Sequence, residues 1–243
     1  MTEENCRFYC YKKTRTEIPK NNKKMEKLEM VIFDMDGVLT DIQSSWKHVH
    51  DYFNTCNDES VDEYLKGNID DAEFIKRDAD LWIEEGKSIK KEKLAKILLN
   101  VPLMNGAKEC VQFLSGNNVK TAIVSAGLDV LAERVGKELG IDHVFSNGVK
   151  ENSDGYLTGD AIIGVRLMYK DEAVKNIAEN ANISIHNIAA VGNSCFDAVM
   201  FEVCGFGIAF NPDDECVKKA ADIVVNGKNL AKIVPFLKPY MLV

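Results

Sequence analysis

The sequence predicts an α/β fold in which helices cover both faces of a doubly wound parallel sheet, with a small helical domain inserted after the first strand. From residue 101 onward, short apolar runs alternate with amphipathic segments at the spacing typical of parallel sheets. Residues 42–100 instead carry helical patterns and almost no strand signal. We therefore predict a core of residues 28–41 and 101–243, a helical cap at 42–100 and a mobile extension at 1–27.

Composition and charge limit the possible functions. Hydrophobic residues make up 46% of the 243 residues and charged residues 28%, which is ordinary for a globular protein. The net charge of −8 argues against binding to nucleic acid or to an anionic membrane surface. The longest apolar runs are far shorter than the ~20 residues of a membrane-spanning helix. Residues 1–27 lack the apolar segment of a signal peptide, and seven scattered cysteines favour reduced thiols. We expect a cytoplasmic protein without nucleic-acid or membrane partners.

The first predicted strand ends in two acids. Residues 31–33 are apolar and run directly into Asp34 and Asp36, which one residue separates, and then into Gly37. Open α/β sheets bind ligands at the carboxyl ends of their strands, and alternation along the chain would point both carboxylates the same way. Such a pair could supply a nucleophile and oxygen ligands for Mg²⁺. The alternative interpretation is an ordinary turn, because Asp and Gly are common in turns.

The cap is predicted to contain helices at residues 45–54, 61–66, 71–84 and 88–99. Acidic residues at positions 70–73 are typical of a helix start. Two histidines, His48 and His50, lie in the first of these helices. Residues two apart face different sides of a helix, so we expect these histidines at the cap surface rather than together at a metal.

The core elements follow in order, and three of them carry polar residues at or beyond their ends. A strand at 119–124 runs into Ser125, Ala126 and Gly127, whose hydroxyl and free amides would lie at the start of the helix at 128–139. A hairpin at 154–159 precedes a helix that begins at Lys170. The strand at 188–191 is followed by Asn193 and Asp197 at the start of another helix. Taken singly, the segment 125–127 also fits an ordinary turn, and Lys170 also fits a lysine at the surface.

In combination, the motifs resemble those of the haloacid dehalogenase superfamily. Residues 34–40 read Asp-Met-Asp-Gly-Val-Leu-Thr, and Ser125, Lys170 and the segment 192–197 follow in the order of that family's other motifs. The resemblance covers residues 28–237. The Ser-Ala-Gly segment at 125–127 and the Asp-Gly-Tyr-Leu-Thr-Gly hairpin at 154–159 are similar to the phosphoserine phosphatase branch. The resemblance implies a Rossmann-like core with a helical cap.

It also implies a reaction, the magnesium-dependent hydrolysis of a small phosphorylated metabolite through an aspartyl-phosphate intermediate. Asp34 would be the nucleophile and Asp36 the general acid and base. The expected phosphate-binding residues are Ser125, Ala126, Gly127 and Lys170. The expected Mg²⁺ ligands are Asp34, Asp36, Asn193 and Asp197.

Three positions depart from the pattern of the family. Asn193 stands where an acidic metal ligand is expected. Gln43 stands where the phosphoserine phosphatases have a glutamate for the substrate amine, and Asp78, next to Arg77, where they have an arginine for the substrate carboxylate. The sequence therefore leaves the natural substrate open. It also leaves open a phosphate-binding regulatory relative with little or no turnover, and a phosphomutase.

Overall fold

The structure, a computed structural model, describes residues 25–212 and 214–241. Most of the predicted extension, residues 1–24, lies outside this range. Met25 and Leu28 are both buried in the main apolar cluster, so the described chain enters the core at its first residue. The backbone N–H of Leu28 donates to the carbonyl of Tyr240 at 2.8 Å, which places the two ends of the described chain side by side.

The elements alternate as the sequence predicts. The described strands are β1 Met30–Phe33, β2 Ile83–Glu84, β3 Lys87–Ser88, β4 Lys120–Leu128, β5 His143–Glu151, β6 Leu157–Ile163, β7 Ile188–Gly192, β8 Phe206–Phe210 and β9 Ile223–Val225. The described helices are α1 Ser45–Phe53, α2 Asp58–Leu65, α3 Asp71–Asp80, α4 Lys91–Leu98, α5 Ala107–Gly116, α6 Asp129–Leu139, α7 Lys170–Ala181, α8 Ala198–Val203, α9 Glu215–Ala220 and α10 Val234–Leu237. None of these helices combines the length and the apolar character needed to cross a bilayer.

Seven of the strands form one sheet in the order β6-β5-β4-β1-β7-β8-β9, in which β5 and β6 pair antiparallel and the other neighbours pair parallel. The central strand, β1, is buried on both faces. Val31 and Phe33 belong to one apolar cluster, and Met30 and Ile32 belong to a second. The predicted doubly wound sheet is therefore confirmed. The strands that follow lie on opposite sides of β1, and open α/β sheets bind their ligands beyond the carboxyl end of such a strand.

Residues 42–100 contain α1 to α4 and contribute no strand to the large sheet. The predicted helix at 71–84 is wrong at its end, because α3 stops at Asp80 and β2 and β3 form a hairpin. Between these strands, Glu85 and Gly86 have φ angles of 53° and 77°. Two successive left-handed residues make the turn that matches the twist of a hairpin, and glycine takes this φ without strain.

His50 is buried, so its predicted position at the cap surface is wrong. Its Nδ1 lies 2.8 Å from Thr55 Oγ1 and accepts a hydrogen bond from Trp82 Nε1 at 3.3 Å. The indole N–H can only donate, so the proton of the neutral imidazole is on Nε2, which lies 3.5 Å from Asp78 Oδ1. The helix turns His50 towards these polar partners inside the cap.

One pair of cysteines also differs from the sequence-based expectation of reduced thiols. Cys195 and Cys216 form a disulfide, with their Cα atoms 5.6 Å apart. It joins the loop after β7 to α9. Cysteine spacing alone does not reveal this pairing, because the fold of the parallel sheet brings the two segments together.

Candidate active site

Asp34 and Asp36 lie where β1 ends and the chain turns. Asp34 is still in the sheet, since its backbone N–H donates to the Val191 carbonyl of β7 at 2.9 Å. The turn beyond it is tight, because three successive backbone N–H groups, those of residues 38–40, donate to the Met35 carbonyl. Gly37 has a φ of 78°, which explains the glycine at this point. The turn keeps both acids at the same end of the sheet.

Lys170 connects the first strand to the loop after β7. Its Nζ lies 3.0 Å from Asp34 Oδ1 and donates to Asp197 Oδ1 at 2.6 Å. The three side chains come from distant parts of the sequence, and all are buried. Burial alone would lower the pKa of Lys170, but the Asp197 and Asp34 carboxylates outweigh this effect and raise it. Lys170 is therefore a permanent positive charge between two carboxylates.

Asp197 fixes the loop that precedes it. Its Oδ2 accepts hydrogen bonds from the backbone N–H groups of Asn193 at 2.9 Å and Ser194 at 3.0 Å, and from the Ser194 hydroxyl at 3.2 Å. A Cβ at Gly192 would lie 2.4 Å from the Asp197 carboxyl carbon, so glycine is needed for this approach. Both oxygens of Asp197 thus have protein partners. A Mg²⁺ ion bound directly to Asp197 would have to compete with them.

Asn193 lies against the turn that carries Asp36. A Cβ at Gly37 would come within 2.4 Å of Asn193 Nδ2, and the Asn193 side chain is largely buried. The structure therefore brings the loop after β7 next to the end of β1. An amide oxygen at this position could be a ligand for a hard cation.

The segment Ser125, Ala126 and Gly127 belongs to the end of β4. The pairing of β4 with β5 shifts register between Val124 and Leu128, so this segment leaves the regular ladder. Two backbone N–H groups that the sequence predicts to be free for phosphate already donate hydrogen bonds within the protein. The N–H of Gly127 donates to Ser125 Oγ at 3.2 Å, and that of Leu128 donates to a hydroxyl of the cap at 3.0 Å.

That hydroxyl belongs to Ser45, the first residue of α1, which the sequence analysis missed. The Ser45 backbone N–H and hydroxyl donate to Asp36 Oδ2 at 2.7 and 2.8 Å. The next residue, Trp46, donates from Nε1 to the carbonyl of Ala126 at 2.9 Å. The local sequence gives only a weak indication of this role, a pair of serines at the start of a helix. One of the two already has a structural explanation, because Ser44 is the N-cap and its Oγ accepts a hydrogen bond from Lys47 N at 3.3 Å.

The buried carboxylates of the site carry more charge than Lys170 balances. Burial and, to a smaller extent, the charges of Asp197 and Asp36 raise the pKa of Asp34 to about 6, although Lys170 opposes this shift. Burial also raises the pKa of Asp36, although the hydrogen bonds from Ser45 oppose this shift. Three carboxylates facing one ammonium leave an excess of negative charge, so the donor set suits a divalent cation.

The residues at the positions where the resemblance predicts amine and carboxylate binding differ in burial and in their partners. Gln43 is exposed. Asp78 is buried and accepts hydrogen bonds from Asn57 Nδ2 at 2.9 and 3.1 Å. Arg77 donates from Nε to Glu73 Oε1 at 2.8 Å with its side chain 39% exposed. In this arrangement, neither Asp78 nor Arg77 is available as a carboxylate anchor.

Residues 42–100, the predicted cap, pack against the core. Asp71 Oδ1 accepts hydrogen bonds from the backbone N–H of Leu167 at 3.0 Å and from the Tyr64 hydroxyl at 2.9 Å. On another side, Lys91 of α4 pairs with Asp129 of α6 at 3.1 Å. These contacts, with those of α1, connect the cap to the core at three separate places.

Comparison with known proteins gives a consistent result. Residues 28–205 match the family of haloacid dehalogenase-like hydrolases. Phosphoserine phosphatase of Idiomarina loihiensis is 33% identical over 219 residues, covering 88% of this chain and 96% of the relative. That of Archaeoglobus fulgidus is 32% identical over 216 residues, covering 86% of this chain, which spans 60% of the relative's length. A solved phospho-aspartyl intermediate analogue of phosphoserine phosphatase has a TM-score of 0.73 at 25% identity and covers 87% of this chain and 99% of its own.

Proposed function

The chain is a phosphatase that belongs to the haloacid dehalogenase-like hydrolase family, and we propose that it hydrolyses a small phosphomonoester through a phosphoryl intermediate on Asp34. One observation carries this proposal. The Asp34 carboxylate lies at the carboxyl end of the central strand, 3.0 Å from Lys170 Nζ. A carboxylate in this position is poised to attack phosphorus, and a fixed ammonium beside it can offset the charge of the phosphoryl group.

The reaction has two steps. In the first, an Asp34 oxygen forms a bond to phosphorus while the ester oxygen leaves with a proton from Asp36. In the second, Asp36 takes a proton from water, whose oxygen attacks phosphorus and releases inorganic phosphate and free Asp34. One carboxyl group acts as acid and then as base, which requires a pKa above its ordinary value, and burial shifts Asp36 in that direction.

Magnesium fits the donor set. Of the expected ligands, we assign Asp34 and Asn193 to the metal, because their side-chain oxygens suit a hard cation. Asp36 keeps its side chain for proton transfer, since Ser45 holds its Oδ2. Asp197 has protein partners on both oxygens, so in this proposal it positions Lys170 and the loop rather than the metal. When bound, Mg²⁺ supplies positive charge to the phosphoryl oxygens.

Phosphoserine is the first substrate to test, because the curated relatives are phosphoserine phosphatases. The exposed Gln43 and the buried Asp78 favour a different alkyl phosphate in this chain. A second function, binding of phosphate without turnover, is favoured by one observation: an amide at Asn193 lowers the ligand charge at the metal.

The deciding experiment measures phosphate release from a panel that includes phosphoserine, other alkyl phosphates and p-nitrophenyl phosphate, with Mg²⁺ or with a chelator. We expect turnover that requires Mg²⁺ and that Asp34→Asn abolishes. Asp41→Asn is the matched control, because Asp41 lies in the same segment but pairs with Lys228 at 2.8 Å on the surface. Binding of phosphate without turnover of any ester would contradict the proposal and support the second function.

A further inference from the structure

Ser45 of the cap holds the carboxyl group that serves as acid and base in the core. Both of its donors reach the same oxygen of Asp36, the backbone N–H at 2.7 Å and the hydroxyl at 2.8 Å. The other oxygen, Oδ1, is buried and accepts no hydrogen bond within the part of the chain that the structure describes. One oxygen of Asp36 is thus held by the cap, and the other is left for the reaction.

A second contact fixes the direction of the Ser45 hydroxyl. The backbone N–H of Leu128 donates to Ser45 Oγ at 3.0 Å, and an N–H can only donate. The hydroxyl accepts there and directs its own proton to Asp36. Ser45 is 0% exposed, so water does not replace either partner. This one hydroxyl therefore joins the acid of the first strand to the end of β4.

The glycine at the end of the phosphate-binding segment makes room for this arrangement. A Cβ at Gly127 would lie 2.8 Å from both Asp36 Oδ2 and Ser45 Oγ. Beside it, Trp46 Nε1 binds the Ala126 carbonyl at 2.9 Å. Two successive cap residues thus contact the acid and the phosphate-binding segment, and opening of the cap would break both contacts together.

We propose that Ser45 is a positioning residue for protonation of the leaving group, which presents Asp36 Oδ1 to the ester oxygen only when the cap is closed. This inference rests on the proposed hydrolysis. It predicts a particular defect: without the Ser45 hydroxyl, Asp36 is poorly placed, and esters that need a proton on the leaving oxygen suffer most. Aryl esters with good leaving groups need little protonation.

The test compares Ser45→Ala with wild type on the fastest alkyl ester of the panel and on p-nitrophenyl phosphate. The quantity compared is kcat/KM, which reports on formation of the phosphoryl enzyme and not on its later hydrolysis, a step common to both esters. General acid catalysis contributes about 10²–10⁴-fold, so we expect kcat/KM on the alkyl ester to fall by about 10- to 100-fold. On p-nitrophenyl phosphate, we expect a fall of less than about threefold. Ser44→Ala is the control. It removes the neighbouring hydroxyl, which is the N-cap of the same helix, and it does not touch Asp36.

Each outcome of this comparison supports or overturns the proposed role of Ser45. An equal loss on both esters would show a general structural role and overturn the proposal, as would full activity on both. Ser44→Ala should leave the ratio of the two kcat/KM values unchanged, and thermal melting of both variants checks that each is folded. Absence of turnover by the wild-type enzyme would instead count against the proposed hydrolysis itself, so the two failures are distinguishable.

Discussion

Two groups of residues meet at the proposed active site, one from the core and one from the cap, and they are held in different ways. In the core, Asp34, Lys170 and Asp197 form a buried cluster of charges. From the cap, Ser45 and Trp46 reach the same place through hydrogen bonds that start at neutral groups. Removing one partner of a buried ion pair costs about 3–5 kcal/mol. A hydrogen bond between neutral groups, such as that of Trp46, contributes about 1 kcal/mol, and one that ends on a carboxylate, such as those of Ser45, about 1.5–3 kcal/mol.

This difference has a consequence for function. Changes in the core group should affect both chemistry and folding, because each charge is needed to balance the others. Changes in the cap group should affect how Asp36 is positioned for proton transfer while leaving the core folded. The following variants test this division, from the largest expected effect to the smallest.

Asp34→Asn should abolish turnover, because an amide is a very poor nucleophile towards phosphorus. We expect kcat on p-nitrophenyl phosphate to fall by more than about 1,000-fold, which corresponds to about 4 kcal/mol of barrier. Thermal melting should show a folded protein. Activity within about tenfold of wild type, or about 1.4 kcal/mol, would remove Asp34 from the mechanism.

Lys170→Ala should unfold the core more easily, because it leaves the Asp34 and Asp197 carboxylates buried without a cation. We expect the free energy of unfolding in urea to fall by about 3–5 kcal/mol without metal. The control is Lys96→Ala in α4, whose ammonium pairs with Glu92 at 2.7 Å while both side chains are exposed. Its loss should be below about 1 kcal/mol. Equal losses for the two lysines would contradict the buried-charge description.

The raised pKa of Asp34 should make the metal-free protein less stable as the pH rises. Burial raises this pKa from 3.8 to about 6, so between these values the folded state keeps a proton that the unfolded state has lost. The free energy of unfolding therefore falls from about pH 4 to about pH 6, by roughly 3 kcal/mol at about 1.4 kcal/mol per pKa unit. Urea titrations of wild type and Asp34→Asn at several pH values give the free energy of unfolding of each, and the difference between the two proteins isolates the contribution of Asp34. A difference that does not change over this range would argue against a raised pKa.

Asn193→Asp should tighten the binding of Mg²⁺, because a carboxylate adds one negative charge to the ligand set. We expect the half-saturating Mg²⁺ concentration for p-nitrophenyl phosphate turnover to fall by about tenfold, or about 1.4 kcal/mol. A Mg²⁺-dependent rise in melting temperature, larger in the variant, gives a reading that does not depend on activity. Coincident Mg²⁺ titrations would mean that Asn193 is not a metal ligand.

The sequence predicts the positions of the core group better than those of the cap group, for a physical reason. Asp34 follows a buried strand, so the sheet itself places it at the edge where ligands bind. Lys170 is predicted from the order of motifs that the chain shares with the family, because a single lysine at a helix start is usually exposed. Ser45 depends on a contact with Leu128, which no local pattern encodes, and its neighbour Ser44 already explains a serine at the helix start. The same limit applies to His50, whose burial depends on partners from other parts of the cap.

The disulfide and the hairpin show two further limits of local patterns. Pairing of Cys195 with Cys216 depends on how the loop after β7 packs against α9. The hairpin at β2 and β3 interrupts a segment with good helical periodicity, because Glu85 and Gly86 adopt left-handed conformations. In both cases the tertiary structure overrides the local preference of the chain.

The most direct test of the account is to trap the phosphoryl enzyme. Wild-type protein with Mg²⁺ and p-nitrophenyl phosphate would be quenched in acid within the first turnover, digested and analysed by mass spectrometry. The account predicts one phosphoryl group, on the peptide that contains Asp34 and on that residue, and no such group in Asp34→Asn. Hydrolysis at the full rate with no phosphorylated peptide at any quench time, or phosphate on another residue, would contradict it.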